Sequence, residues 1–177
     1  MTPEPLPADT ADAVVDADSF RRALGRFATG ITVATALHDG VDHAMTANSF
    51  TSVSLDPPTV LVCVEKITRF HEAVLSSGLW AVSVLGEHDR DVSVWLASRG
   101  RPLAGQLDGV PHRRGLHSGA AVLAGALAVV ECRTRGVHDG GDHDIVVGDV
   151  LGVSTPQPDG RPLVYYTGGY HSLGARV

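Results

Sequence analysis

The feature that most constrains this chain is its punctuation. Runs rich in β-branched and other apolar residues recur along it, and turn signals rather than long amphipathic helices separate them. Ile31–Leu37 (ITVATAL) leads into an Asp39-Gly40 turn and returns as AMTANSFTSVSL, which Asp56-Pro57-Pro58 ends because proline cannot donate to a ladder. TVLVCVE has the nearly unbroken apolar character of a central strand, and LWAVSVL is another strand. ALAVVECRTRGV turns at Asp139-Gly140-Gly141 and returns as HDIVVGDVLGVS; LVYYTGGYHSL supplies a last strand and a glycine turn. Three short helices are expected between them. DSFRRALGRFATG takes Asp18 or Ser19 as cap, an apolar stripe of Phe20, Leu24 and Phe27, and a stop at Gly30. TRFHEAVLSSG is capped by Thr68 and ends at Gly78, and EHDRDVSVWLAS carries Val92, Trp95 and Leu96 on one face. RGRPLAGQLDGVPHRRGLHSG has no period and reads as loop. Six or seven strands joined mostly by hairpins predict a mainly β fold, a closed or split antiparallel β-barrel with a few short flanking helices. An open parallel sheet is disfavoured because helices do not alternate with strands.

The Pro-, Ala- and Asp-rich residues 1–17 are expected to be a flexible tail, and residues 18–177 a single domain. A net charge of −6, from 14 Lys and Arg against 20 Asp and Glu, argues against a nucleic-acid surface. No apolar run is long enough for a membrane helix, and the acidic N-terminus lacks the basic and apolar regions of a secretory signal, so a cytoplasmic location is expected. Cys63 and Cys132 sit inside apolar strands and read as buried thiols. Neither GxGxxG after a strand nor GxxxxGK[ST] occurs, which removes the usual nucleotide-binding folds.

Two echoing segments, HDGVDH from His38 and HDGGDH from His138, have the residue types of a divalent-cation site. Their spacing fits neither an EF-hand loop nor HExxH, and Asp-Gly is favoured in tight turns for backbone reasons. Hairpin turns explain both, so no metal is expected, and a metal-dependent hydrolase is the disfavoured alternative.

Three other segments carry candidate chemistry. Met45–Pro58 places hydroxyls and amides at Thr46, Asn48, Ser49, Thr51, Ser52 and Ser54, on both faces of what reads as one strand. That is either a Ser/Thr-rich edge strand or a strand edge that hydrogen-bonds a planar polar ligand such as an isoalloxazine ring. Glu65–Phe70 sets Lys66, Thr68 and Arg69 before a helix N-terminus, which is either a solvated cap or a phosphate cradle. Thr167–Leu173 joins two glycines to Tyr170 and His171, either a surface turn or a ligand-facing one.

Taken in order, FRRALGRFATGITVAT, HAMTANSFTSVSLDPPTVLVCV, GDHDIVVGDV and YYTGGYHSL resemble the flavin reductase family, over about Phe20 to Leu173. The resemblance implies a split barrel that binds FAD or FMN, with a lean to FAD, and forms a homodimer. It implies hydride transfer from NADH or NADPH to the flavin, for delivery to a partner flavin-dependent monooxygenase. By resemblance, Thr46, Ala47, Asn48, Ser49, Phe50, Ser52 and Val53 contact the flavin ring and ribityl chain, and Lys66, Thr68, Arg69 and Phe70 form the phosphate turn. His143 lies beside the nicotinamide as the catalytic candidate, and Gly168, Gly169, Tyr170 and His171 face the dinucleotide. The alternative on the same fold is a non-catalytic flavin- or haem-binding protein.

Overall fold

A computed structural model describes residues 14–174. The expected tail therefore falls, for residues 1–13, outside the described residues. Helix α1 spans Ala17–Leu24, earlier and shorter than its apolar spacing predicts. Its cap is Asp16, whose carboxylate accepts from the Asp18 and Ser19 N–H groups at 3.0 and 2.8 Å. It stops at Gly25, because the chain must extend to enter a two-residue strand, β1 (Thr29–Gly30), paired with β11 (Leu163–Tyr166). The predicted stripe is not a core face: Phe20, Leu24 and Phe27 remain 58%, 51% and 71% exposed.

β2 (Thr32–His38) and β3 (Val41–Ala47) form a hairpin. Asp39 and Gly40 both take positive φ, 50° and 75°, the two-residue turn whose twist matches the strands. The run expected to continue as one strand breaks at Asn48–Phe50 and resumes as β4 (Thr51–Leu55). β5 (Pro58–Glu65) follows, with Pro58 at the first position, where no ladder bond is lost. Helix α2 (Arg69–Ser77) is capped by the Thr68 hydroxyl and closed by left-handed Gly78, as its sequence predicts. β6 (Leu79–Val84) and a 3₁₀ turn lead to α3 (Arg90–Ala97), which buries Ser93 and Leu96, while Trp95 is 40% exposed. The stretch predicted as loop contains a small hairpin, β7 (His112–Arg114) and β8 (Ala121–Leu123). β9 (Ala128–Asp139) and β10 (His143–Ser154) are long antiparallel partners. β11 and β12 (Gly169–Ser172) complete a three-stranded sheet with β1.

The main sheet has the order β3-β2-β6-β9-β10-β5-β4, with every neighbouring pair antiparallel. Laid flat, its edge strands β3 and β4 would stand about 29 Å apart at ~4.8 Å per strand. Only Asn48, Ser49 and Phe50 connect them. From Ala47 to Thr51 that link reaches at most about 14 Å. The sheet must therefore curl until its edges approach, which makes it a barrel split between β3 and β4. Val62, Val64, Trp80, Val82, Cys132 and Val146 fill the interior together with Phe70, Ala73 and Val74 of α2. Helix α2 touches β2, β3, β5 and β6, strands from both sides of the split, and so plugs one end. On the outer face, Val33, Ala81 and Leu85 pack against Leu96, Leu107, Val122 and Leu163. Each fully buried Val, Leu or Phe among them contributes roughly 1.5–3 kcal/mol.

Candidate functional site

The site forms where the barrel is split. Because β3 ends at Ala47 and β4 begins at Thr51, the three residues between them lie outside the ladder. Ser49 stitches the gap: its hydroxyl donates to the Cys63 carbonyl and accepts from the Cys63 N–H, both at 3.1 Å. The polar residues that fitted neither face of one continuous strand are thus residues of a break. Thr46 points outward, and its hydroxyl donates to the Ser93 carbonyl on α3 at 2.7 Å. Asn48 is exposed, and its amide has no protein hydrogen bond among the described residues.

A groove of about 520 Å³ opens beside this break, within the range of small-molecule sites. Of the predicted residues it gathers Thr46, Ala47, Asn48, Ser49, Thr68, Arg69, Phe70 and His143. The Arg69 and Phe70 N–H groups, in the first turn of α2, have no intrahelical acceptor and mark the anion-favouring end of the helix. Phe70 is nonetheless a core residue, with its ring in the barrel interior. His143 is the first residue of β10; its Nδ1 lies 2.7 Å from the Asp142 carboxylate, and the His143 contact holds that carboxyl below its usual range. An ionised carboxylate only accepts, so Nδ1 carries the proton, and in the neutral ring Nε2 is left as an acceptor.

Other predicted residues lie elsewhere. Lys66 is absent from the groove wall although Glu65 and Ile67 on either side line it. Its ammonium donates to Asp139 at 2.5 Å, which raises its pKa above the ordinary value. Phe50 and Gly168 line a second, wider cavity of about 1030 Å³ with Phe20, Leu24, Phe27 and Tyr165, and the two cavities share Asn48 and Ser49. Ser52 and Val53 lie exposed on β4. Thr167 and Gly168 form the β11–β12 turn. Tyr170 packs edge-on to Tyr165, accepts from the Ser93 hydroxyl at 3.0 Å and lies under Arg90. His171 is exposed, 3.2 Å from the Tyr166 carbonyl. Gly169, Tyr170 and His171 line neither cavity.

The groove also holds residues outside the predicted site set. Arg99 and Arg101, from the loop after α3, join Arg69 on its wall. Arg99 donates to both Glu65 carboxylate oxygens at 2.9 and 3.1 Å, and Arg69 donates to the Arg101 carbonyl at 2.6 Å. Arg101 ties the loop down by donating to the carbonyls of Ala44 and Ser98. Burial first, and then the Arg69 charge, pull its guanidinium below the usual value. Gln106 completes the clamp, donating to the Asp42 carbonyl at 2.6 Å. His43 also lines the groove; burial and neighbouring His38 push its pKa down, and its buried Nδ1 has no hydrogen-bond partner among the described residues. In the sequence, Arg99 and Arg101 stand in the run SRGRPLAGQ, a segment without hydrophobic period that could reach the distal end of a flavin. Three guanidinium groups, a helix N-terminus and a polar strand break in one groove suit a planar ligand that carries phosphate.

Comparison with known proteins agrees with that chemistry. Residues 24–174 match the flavin reductase like domain. The chain belongs to the flavin reductase family. It is 40% identical over 162 residues to the reductase subunit HsaB of a flavin-dependent monooxygenase of Mycobacterium tuberculosis, covering 91% of this chain and 84% of that one. Among solved structures it superimposes on BorF, the flavin reductase component of a bacterial two-component tryptophan halogenase. That match has a TM-score of 0.85 and 43% identity over 91% of this chain and all of BorF. It also superimposes on the NADH:FAD oxidoreductase SgcE6 of Streptomyces globisporus, solved with NAD and FAD fragments, with a TM-score of 0.84 and 35% identity over 92% and 98% of the two chains. The protein is an oxidoreductase of this family, with its mainly β, split-barrel fold. Among the described residues, no group of three or more His, Cys, Asp or Glu side chains is placed to hold a metal ion. Nor is any described helix long and apolar enough to cross a membrane.

Proposed function

We propose that the protein is an NADH-dependent reductase of free FAD that hands reduced flavin to a partner monooxygenase. The observation that carries this is the groove that joins the Asn48–Ser49 break to Arg69, Arg99 and Arg101. Its polar break suits the edge of an isoalloxazine, and its three cations suit a pyrophosphate better than a single phosphate. The flavin, when bound, supplies a two-electron acceptor for the hydride of a nicotinamide. The chain's own part is positioning, the main source of rate when two rings must meet at reacting distance. Asn48 offers donor and acceptor at the groove's edge, and the free N–H groups of Arg69 and Phe70 hold phosphate. His143 offers Nε2 to a nicotinamide carboxamide, in an orientation fixed by Asp142. The second cavity shares Asn48 and Ser49 with the first and has Gly168 in its wall; in this reading it admits the dinucleotide.

In this reading residues 18–177 act as one cytoplasmic domain behind an N-terminal tail. The exposed apolar residues Phe20, Leu24 and Phe27 are covered by a second copy in a homodimer. The test is a steady-state assay that crosses NADH and NADPH with FAD, FMN and riboflavin. The expected result is flavin-dependent NADH oxidation, fastest with FAD. Flavin binding without oxidation of either nicotinamide would assign the fold to binding alone.

A further inference from the structure

The segment His138–Asp144 gathers three carboxylates at the tip of the β9–β10 hairpin. Asp139 and Asp144 are cross-strand partners, directly opposite each other. Like charges in that relation repel and splay a hairpin. Between them stands Lys66, from the turn that follows β5. Its ammonium donates to Asp139 at 2.5 Å and lies 3.5 Å from Asp144. Its backbone N–H donates to the Asp142 carbonyl at 3.0 Å. From α2, His71 Nε2 donates to the other Asp144 oxygen at 2.7 Å, with both side chains largely buried. These contacts hold both carboxyls below the ordinary range, by the Lys66 bond at Asp139 and first by the His71 bond at Asp144. The hairpin tip is thus fastened to the turn and to the helix that form one wall of the groove. His143 lies between Asp142 and Asp144 on that tip, opposite Glu65.

We propose that Lys66, Asp144 and His71 form a latch that positions His143 at the groove, so that Lys66 acts on the nicotinamide through His143 and is not a flavin-phosphate ligand. Three observations carry it. Lys66 is missing from the groove wall, its ammonium is engaged by two carboxylates, and its backbone is bonded to the residue that orients His143. Without Lys66, Asp139 loses its cation and faces Asp144 with only the His71 bond left to offset the repulsion, and the strand end bearing His143 shifts. Lys66, Asp144 and His71 are positioning residues in this scheme. The proposal rests on the reading that His143 meets the nicotinamide.

The test is a cycle of Lys66→Met, His143→Ala and the double variant, each assayed with NADH against FAD, FMN and riboflavin. Wild-type turnover checks the proposed activity separately. Lys66→Met should lower kcat/KM for NADH by between about ten- and a hundredfold, the effect of a small misplacement at a reacting centre. The fall should be the same with riboflavin, which has no phosphate, as with FMN and FAD. In the His143→Ala background it should add nothing. Lys66→Met/Asp139→Asn, which removes the opposed charge, should regain part of the loss and keeps the test valid if the single variant folds poorly. A rise in KM for FMN and FAD with riboflavin unaffected would make Lys66 a phosphate ligand and overturn the proposal. So would additive effects of Lys66→Met and His143→Ala, or a His143→Ala variant with wild-type kinetics.

Discussion

Ser49 offers the sharpest separation of stability from binding. Its hydroxyl makes two hydrogen bonds to one peptide unit, the N–H and C=O of Cys63, at a position where the β4–β5 ladder has no backbone pair to offer. Ser49→Ala leaves both Cys63 groups without that partner. At ~1 kcal/mol for each ordinary hydrogen bond, the loss is about 2 kcal/mol. For a domain of this size that is a fall in Tm of about 4–8 °C. The assay is thermal and urea denaturation of the flavin-free protein, alongside a fluorescence titration with FAD. The expected result is the Tm loss without flavin and a change in Kd of no more than about threefold, less than one hydrogen bond. Ser52→Ala removes an exposed hydroxyl of the same segment and is the control, expected to stay within about 0.5 kcal/mol of the wild type. An unchanged Tm together with a tenfold weaker Kd would refute the reasoning and make the hydroxyl a ligand contact instead of a stitch.

Gly148→Ala would set a methyl 2.5 Å from the buried Trp80 ring and 3.1 Å from Cys132, costing about 1–3 kcal/mol in denaturant melts; Trp80→Phe in the same chain should recover part of it. Buried Glu131 accepts from the N–H groups of Leu116, His117 and Ser118 and from the Ser118 hydroxyl, bonds that outweigh its burial and hold its pKa below the ordinary 4.5. A depressed carboxylate contributes stability that is present above pH 4.5 and is lost as pH falls through the lower folded value. Glu131→Gln should therefore cost ~2 kcal/mol at neutral pH and flatten that acid limb in pH-dependent melts. Arg101→Met frees the 98–106 loop and removes one of the groove's cations. The KM for FAD should rise about tenfold, and the difference should shrink at high salt. Cys132 is fully buried, and burial pushes its thiol up to about 12, whereas Cys63 is partly exposed on the groove wall. A thiol reagent should titrate one cysteine in the native protein and two only in denaturant.

Much of the fold was legible because its signals are local. Thr68 as cap and Gly78 as stop of α2 each act within four residues, and so does the Asp39-Gly40 turn, so sequence spacing alone locates them. The two echoing turns show where such reading ends. Asp39 turns the first hairpin, but Asp139 remains in its strand opposite Asp144, and Gly140–Asp142 make the loop. Gly141, at φ 88°, stands where the first segment has Val41, a β-branched residue that disfavours that conformation. α1 was misread for the opposite reason: its apolar spacing was genuine, but pairing of Thr29 with Tyr165 pulled the chain out of helix. The same spacing left Phe20, Leu24 and Phe27 facing a cavity instead of the core.

By itself the sequence determined the antiparallel, hairpin-built class and the segment motifs that mark the family, but not the break at Asn48–Phe50. Only the tertiary structure decided which of those residues meet. Barrel closure draws Ala47, Thr68, Arg101 and His143 to one groove across nearly a hundred residues, and it sends Lys66 and Tyr170 to other partners. The physical reason is one of range. Turns and caps are set by the backbone preferences of a few neighbours. The groove is set by register and curvature summed over seven strands, where a one-residue slip would turn every side chain to the other face.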